Sequence, residues 1–156
     1  MMVSLLPPDC DRRLQQLHAY WRSLAPGEGL LPGRQHFDPL HIPALLPWVW
    51  MVDVYRAPLR FKFRLIGTEH TRLSGRDVTG RWMDEVHRDA TKVETWSQIV
   101  AAAERAEIGY RRGPPLFPEQ GEFAEMERLL LPMARNGREV DMLLAITIYR
   151  RKRPAH

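Results

Sequence analysis

The residues best suited to hold a metal or move a proton are the six histidines, His18, His36, His41, His70, His87 and His156. They form no helical i, i+4 pair and have no cysteine partners, so the spacing of a zinc site is missing. His36-x-Asp38-x-x-His41 comes nearest to a cluster. It falls in a proline-containing loop, where capping and turn roles account for these residue types. Two carboxylate pairs, Asp84-Glu85 and Glu125-x-Glu127, could in principle do acid–base work. Glu125 and Glu127 share one face of a strand, with Met126 opposite, and are expected on a solvated face. There is no Gly-x-Ser-x-Gly elbow, no glycine-rich phosphate loop and no His-Glu-x-x-His. A small-molecule enzyme on some α+β fold would need convergent Asp, His or Tyr side chains, and no such set assembles. The expectation is a protein that binds and does not catalyse.

The elements that would carry these residues can be read from spacing. Leu14, Leu17, Trp21 and Leu24 recur at intervals of three and four, which predicts a helix over 11–24 with one apolar stripe. Asp9 or Asp11 can cap it, and Ala25-Pro26-Gly27 ends it. Asp38-Pro39 opens a short helix expected over 40–46, stopped by Pro47. Trp48 to Val54 reads as a strand, and Arg60 to Ile66 as a second one. In the second, Phe61, Phe63 and Leu65 face one way while Lys62 and Arg64 face the other. Short helices are expected over 69–73 and 81–86. A longer one is expected from about Asp89 to Glu107, with Thr91 and Glu94 as a capping box and Val93, Trp96, Val100 and Ala103 inward. The remainder reads as strands: a weak one over 110–117, a stronger one over 123–131, an Asn136-Gly137 hairpin and a last strand over 139–149. Two strand clusters flank a helical block, so the class is α+β with an antiparallel sheet.

Composition sets the outer limits. The chain has 156 residues, 44% hydrophobic and 27% charged, an ordinary globular balance for one domain. Its single cysteine, Cys10, cannot form an internal disulfide, which favours a reducing compartment. Residues 1–8 lack the basic region of a signal peptide, and no apolar stretch approaches the roughly 20 residues of a membrane span. The expected location is therefore cytoplasmic, with no membrane partner. Four of the 23 basic residues sit together as Arg150, Arg151, Lys152 and Arg153; without them the charges balance at 19 against 19. The net charge of +4 is thus read as a property of a solvated tail, and nucleic acid is not the expected partner. A regulator that touches nucleic acid or an acidic protein through this tail is the alternative.

The order of elements and a series of short motifs resemble the PAS domain superfamily, in particular its short stand-alone bacterial members. The motifs are Tyr20-Trp21, Leu31-Pro32-Gly33-Arg34, Asp38-Pro39, Leu46-Pro47 and Val52-Asp53-Val54. They continue with Phe63-Arg64-Leu65-Ile66-Gly67-Thr68, Gly75-Arg76-Asp77-Val78-Thr79-Gly80-Arg81, Leu130-Leu131-Pro132 and Asn136-Gly137. The resemblance implies a five-stranded antiparallel sheet with helices between its second and third strands. It divides the chain into an N-terminal helix and linker (1–30), a PAS-like domain (31–149) and a basic tail (150–156). It implies a sensory or regulatory module; with no room for a fused output domain, such a module is expected to act in trans, through a small molecule, a homodimer or a signalling partner.

The same resemblance places a ligand pocket between the inner sheet face and the short helices. Its expected lining is Phe61, Phe63, Leu65, Leu73, Trp82, Trp96, Val100, Met142, Leu144 and Ile146, with Thr68 and His70 as polar contacts. The ligand itself is left open. Haem is not expected, because the long helix carries no histidine, leaving only His70 and His87 nearby. Covalent flavin photochemistry is not expected either, because Cys10 is far from the helix where such domains carry their cysteine. Leu14, Leu17, Trp21 and Leu24 are expected to be covered either by the domain's own sheet or by a second subunit.

Overall fold

Asp11 starts the first helix, α1 (Arg12–Ser23), by accepting a hydrogen bond from the Arg13 backbone N–H. The computed structural model describes residues 6–93, 95–116 and 122–151. After α1 the chain makes 3₁₀ turns at Pro39–His41 and Leu46–Trp48. These replace the single helix expected over 40–46. Pro43 has no N–H to continue an α-helical ladder, so the segment breaks into two turns. Asp38 does cap the first turn, through the Leu40 N–H, with Pro39 at its first position.

Five antiparallel strands follow: β1 (Val49–Tyr55), β2 (Arg60–Ile66), β3 (Gly109–Gly113), β4 (Phe123–Met133) and β5 (Met142–Arg151). They lie in the order β2-β1-β5-β4-β3. Between β2 and β3 come α2 (Thr68–Ser74), α3 (Met83–Val86), a 3₁₀ turn at Ala90–Lys92 and α4 (Trp96–Arg105). The α+β class with a five-stranded antiparallel sheet is the architecture found. The helix expected over 89–107 is shorter, because Val93 adopts an extended conformation and separates the 3₁₀ turn from α4. Thr91 therefore lies in the turn and caps nothing, and Glu94 is outside the described residues. The buried face of α4 is Ile99, Ala101, Ala102 and Ala103, with Trp96 and Val100 only half-buried.

Both faces of the sheet are covered. On one, Leu14, Leu17 and Trp21 of α1 pack against Met51, Leu129, Leu131, Leu144 and Ile146, with Leu24 partly buried beside them. The Trp21 indole N–H also donates to the Pro132 carbonyl at 2.9 Å. The apolar stripe of α1 is thus occupied by its own sheet. Of the two covers expected for Leu14, Leu17, Trp21 and Leu24, the domain's own sheet is the one found, so their reading as a dimer helix is not the one the packing supports. On the other face, Val52, Phe61, Phe63, Leu130, Leu143 and Ala145 meet α4 and Met83 of α3.

A bulge in β2 decides which side chains reach which face. Val52 pairs with Phe63, but Met51 pairs with Leu65, so Arg64 is the extra residue. One inserted residue reverses the alternation beyond it. Leu65 consequently turns to the α1 face, while Ile66 turns to the face of Phe63. The strict alternation expected along this strand holds only up to the bulge. The β4–β5 connection is also longer than a two-residue hairpin: the last pair is Met133 with Met142. Gly137 takes a positive φ of 84° at its tip, and the Asn136 side chain accepts from the Arg138 and Glu139 N–H groups.

Candidate ligand site

A cavity of about 160 Å³ lies between the second face of the sheet and the helices that follow β2. Its floor is Trp50, Phe63, Ile66 and Met126, and its walls include His70 and Leu73 of α2, Met83 and Val86 of α3, and Ile99 of α4. The volume is close to that of an engineered apolar cavity, ~150 Å³, that takes up benzene.

Of the residues expected around this cavity, Phe63, His70 and Leu73 line it. Phe61 and Trp96 meet edge-on at 5.5 Å within the same core but outside the lining. Trp82 lies beneath Arg60 and Lys62, at 4.0 and 4.7 Å from its ring centre. Thr68 is exposed at the start of α2, and Val100 is half-buried away from the lining. Leu65, Met142, Leu144 and Ile146 belong to the α1 face, which corrects their placement in the pocket. The bulge explains Leu65. For β5 the cause is continuous burial: residues 142–148 are buried on both faces, so no polar alternation marks which parity looks inward.

Polar groups interrupt the apolar lining at a few points. His70 donates from Nε2 to the Trp48 carbonyl at 2.7 Å, which fixes its neutral tautomer. Burial lowers its pKa, and burial together with Arg22 lowers that of His18 on α1. Folding therefore prefers both rings neutral. As pH falls below about 6.5, the unfolded chain binds protons first, and stability drops until the folded values are passed. Urea unfolding at successive pH values is expected to show a loss of at most about 1.4 kcal/mol per pH unit per histidine in that window. His70→Gln should flatten the slope; an unchanged slope would remove His70 from this account.

Thr147 accepts from the Trp50 indole at 2.9 Å. Thr95 is buried, and its hydroxyl has no hydrogen-bond partner among the described residues. Arg128 of β4 is 3% exposed and lines the cavity. Its guanidinium donates from Nη2 to Gln98 Oε1 at 2.6 Å, while its Nε is buried without a partner among the described residues. Burial, with Arg111 opposite it on β3, pushes its pKa down to about 10, so it stays charged at neutral pH.

A family model described as a PAS domain matches residues 11–148. The chain belongs to the PAS domain family. No curated protein matches it by sequence. PAS domains are sensory or binding modules in general, and they often take ligands or mediate protein contacts.

In this PAS domain, the carboxylate pair expected on a solvated face is divided. Glu127 has no exposed surface and points to the α1 side. It accepts from the Tyr110 hydroxyl at 2.8 Å, the Asp11 N–H at 3.0 Å and Arg150 at 2.7 Å. Arg150 is thus a member of β5 held by Asp11, Glu125 and Glu127, and not part of a loose tail. Arg151 closes β5, while Lys152 and Arg153 lie outside the described residues. Among the described residues of the PAS domain, no cluster of His, Cys, Asp and Glu could hold a metal, and no helix is long and apolar enough to cross a membrane. Sequence reasoning missed Arg128, Thr95 and Thr147. For Arg128 the signal was present: it shares strand parity with Met126 and Leu130, so its neighbours on that face are apolar.

Proposed function

We propose that this PAS domain is a sensory module that takes a small molecule into the cavity above its sheet and acts through a protein partner rather than by catalysis. The observation that carries this reading is the cavity itself: a largely apolar recess with a few polar groups is the usual form of a ligand site. Its 160 Å³ is smaller than the roughly 300–1,000 Å³ of sites for drug-sized ligands, which favours a small occupant. The basic-tail alternative is weakened, because Arg150 is committed to carboxylates within the domain.

Native mass spectrometry of protein purified from cells, read beside a visible absorbance scan, tests the proposal. A small retained mass without a flavin or haem band is expected. The same measurement on Ala90→Leu, which fills part of the lining, should show that mass gone while the protein stays folded. A bare protein mass, combined with no thermal shift from small apolar or anionic probes, would overturn the reading.

A further inference from the structure

A buried cation with no anion beside it among the described residues is the least expected feature of this molecule. A charge taken out of water costs several kcal/mol unless it is paired and hydrogen-bonded. Arg128 is 3% exposed, yet no carboxylate among the described residues pairs with it. Its one hydrogen bond among the described residues goes to a neutral amide, Gln98, whose own Nε2 donates to the Tyr110 carbonyl at 3.0 Å. Across the strands it faces Arg111 on one side and Thr147 on the other, so its neighbours add positive charge or none. The unsatisfied Nε belongs to a residue on the cavity wall, and so does the unsatisfied hydroxyl of Thr95. Orphaned buried polar atoms are uncommon in folded proteins, and two on one small apolar cavity point to a shared partner.

We infer that the cavity binds a small monocarboxylate, with its carboxylate on the Arg128 guanidinium and the Thr95 hydroxyl and its apolar body, of about benzene's size, among Trp50, Phe63, Ile66 and Met83. This rests on the reading of the cavity as a ligand site and gives that ligand its chemical class. A guanidinium presents donors in a planar fork that matches a carboxylate. Arg76, His70 and His87 also border the cavity, but Arg76 is exposed, so Arg128 is the buried cation of the lining.

Benzoate, benzamide and toluene are suitable probes, followed by titration calorimetry and thermal shift on the full chain. Benzoate is expected to bind at least tenfold more tightly than benzamide, and Arg128→Met to abolish benzoate binding while keeping or improving uptake of toluene. Arg128→Lys should retain the preference for benzoate at lower affinity, which covers the case in which the methionine variant does not fold. Thr95→Val should weaken benzoate several-fold. Toluene binding equally well to the wild type and to both Arg128 variants, with no preference for benzoate, would leave the cavity a ligand site but overturn the carboxylate assignment. Failure of every probe on a folded wild-type protein would overturn both. Destabilisation by Arg128→Met with no effect of any anion would make Arg128 a structural tie between β4 and Gln98 of α4.

Discussion

Trp21→Ala is expected to lower the free energy of unfolding by about 4 kcal/mol, within the range for truncating a buried aromatic. Trp21 is 6% exposed and packs between α1 and the sheet. Its ring stacks on His18 at 6.0 Å, and its N–H satisfies the buried Pro132 carbonyl. Truncation removes the ring's contacts, opens a cavity and leaves that carbonyl without a donor. Trp21→Phe separates the parts: it keeps most of the packing and should cost only about 1–2 kcal/mol, chiefly the lost hydrogen bond. Since whole domains of this size are stable by about 5–15 kcal/mol, the alanine variant should be visibly closer to unfolding in urea. The measurement also decides what the stripe does. If it covers the domain's own sheet, both variants keep the wild-type oligomeric state in sedimentation and lose stability as folded units. A cost below about 1 kcal/mol, or a dimer that becomes a monomer without loss of stability, would sink this account. Benzoate affinity should be unaffected in the folded variant, because the cavity is on the opposite face of the sheet.

The contrast between α1 and the sheet shows what local pattern can and cannot carry. The helix was legible because its spacing, its Asp11 cap and its Pro-Gly stop all agree, and one face of it is polar. The α+β class with an antiparallel sheet was legible from the sequence of elements. Side-chain direction in the strands was not. In β2 the bulge at Arg64 depends on how β1 pairs beside it, which no residue within β2 announces. In β5 the run from Met142 to Ile148 is buried on both sides, so either parity fits the sequence equally well. That ambiguity sent Met142, Leu144 and Ile146 to the wrong face. The charged residues of β4 misled in a different way. Glu127 and Arg128 are adjacent and therefore point to opposite faces, and both are buried. A charge on a strand normally marks solvent. Here each charge is held inside, one by a network of donors and the other at the cavity wall.

The Glu127 network yields the second large effect. Arg150→Met is expected to cost about 3 kcal/mol, because it leaves a fully buried carboxylate with only the Tyr110 hydroxyl and the Asp11 N–H. Burial and the hydrogen bond to Glu127 keep the Tyr110 phenol protonated and neutral, and a phenol has no positive charge with which to replace the guanidinium. Glu127→Met leaves Arg150 with Asp11 and Glu125 and should cost less, about 2 kcal/mol. The double variant should be less destabilised than the sum of the two by about 1.5–3 kcal/mol, since removing both charges leaves neither stranded. Simple additivity would mean that the two groups do not act as a pair. The position of the network gives the change a local signature as well. Glu127 holds the backbone of Asp11, the residue that caps α1, and Arg150 reaches the same Asp11 carboxylate. Loss of Arg150 therefore loosens the start of α1 before it touches the cavity face. Hydrogen exchange should accelerate first over residues 12–17, while α4 and the cavity-facing positions of β4 keep their protection. Acceleration spread evenly over the domain would instead make the pair a contributor to global stability alone.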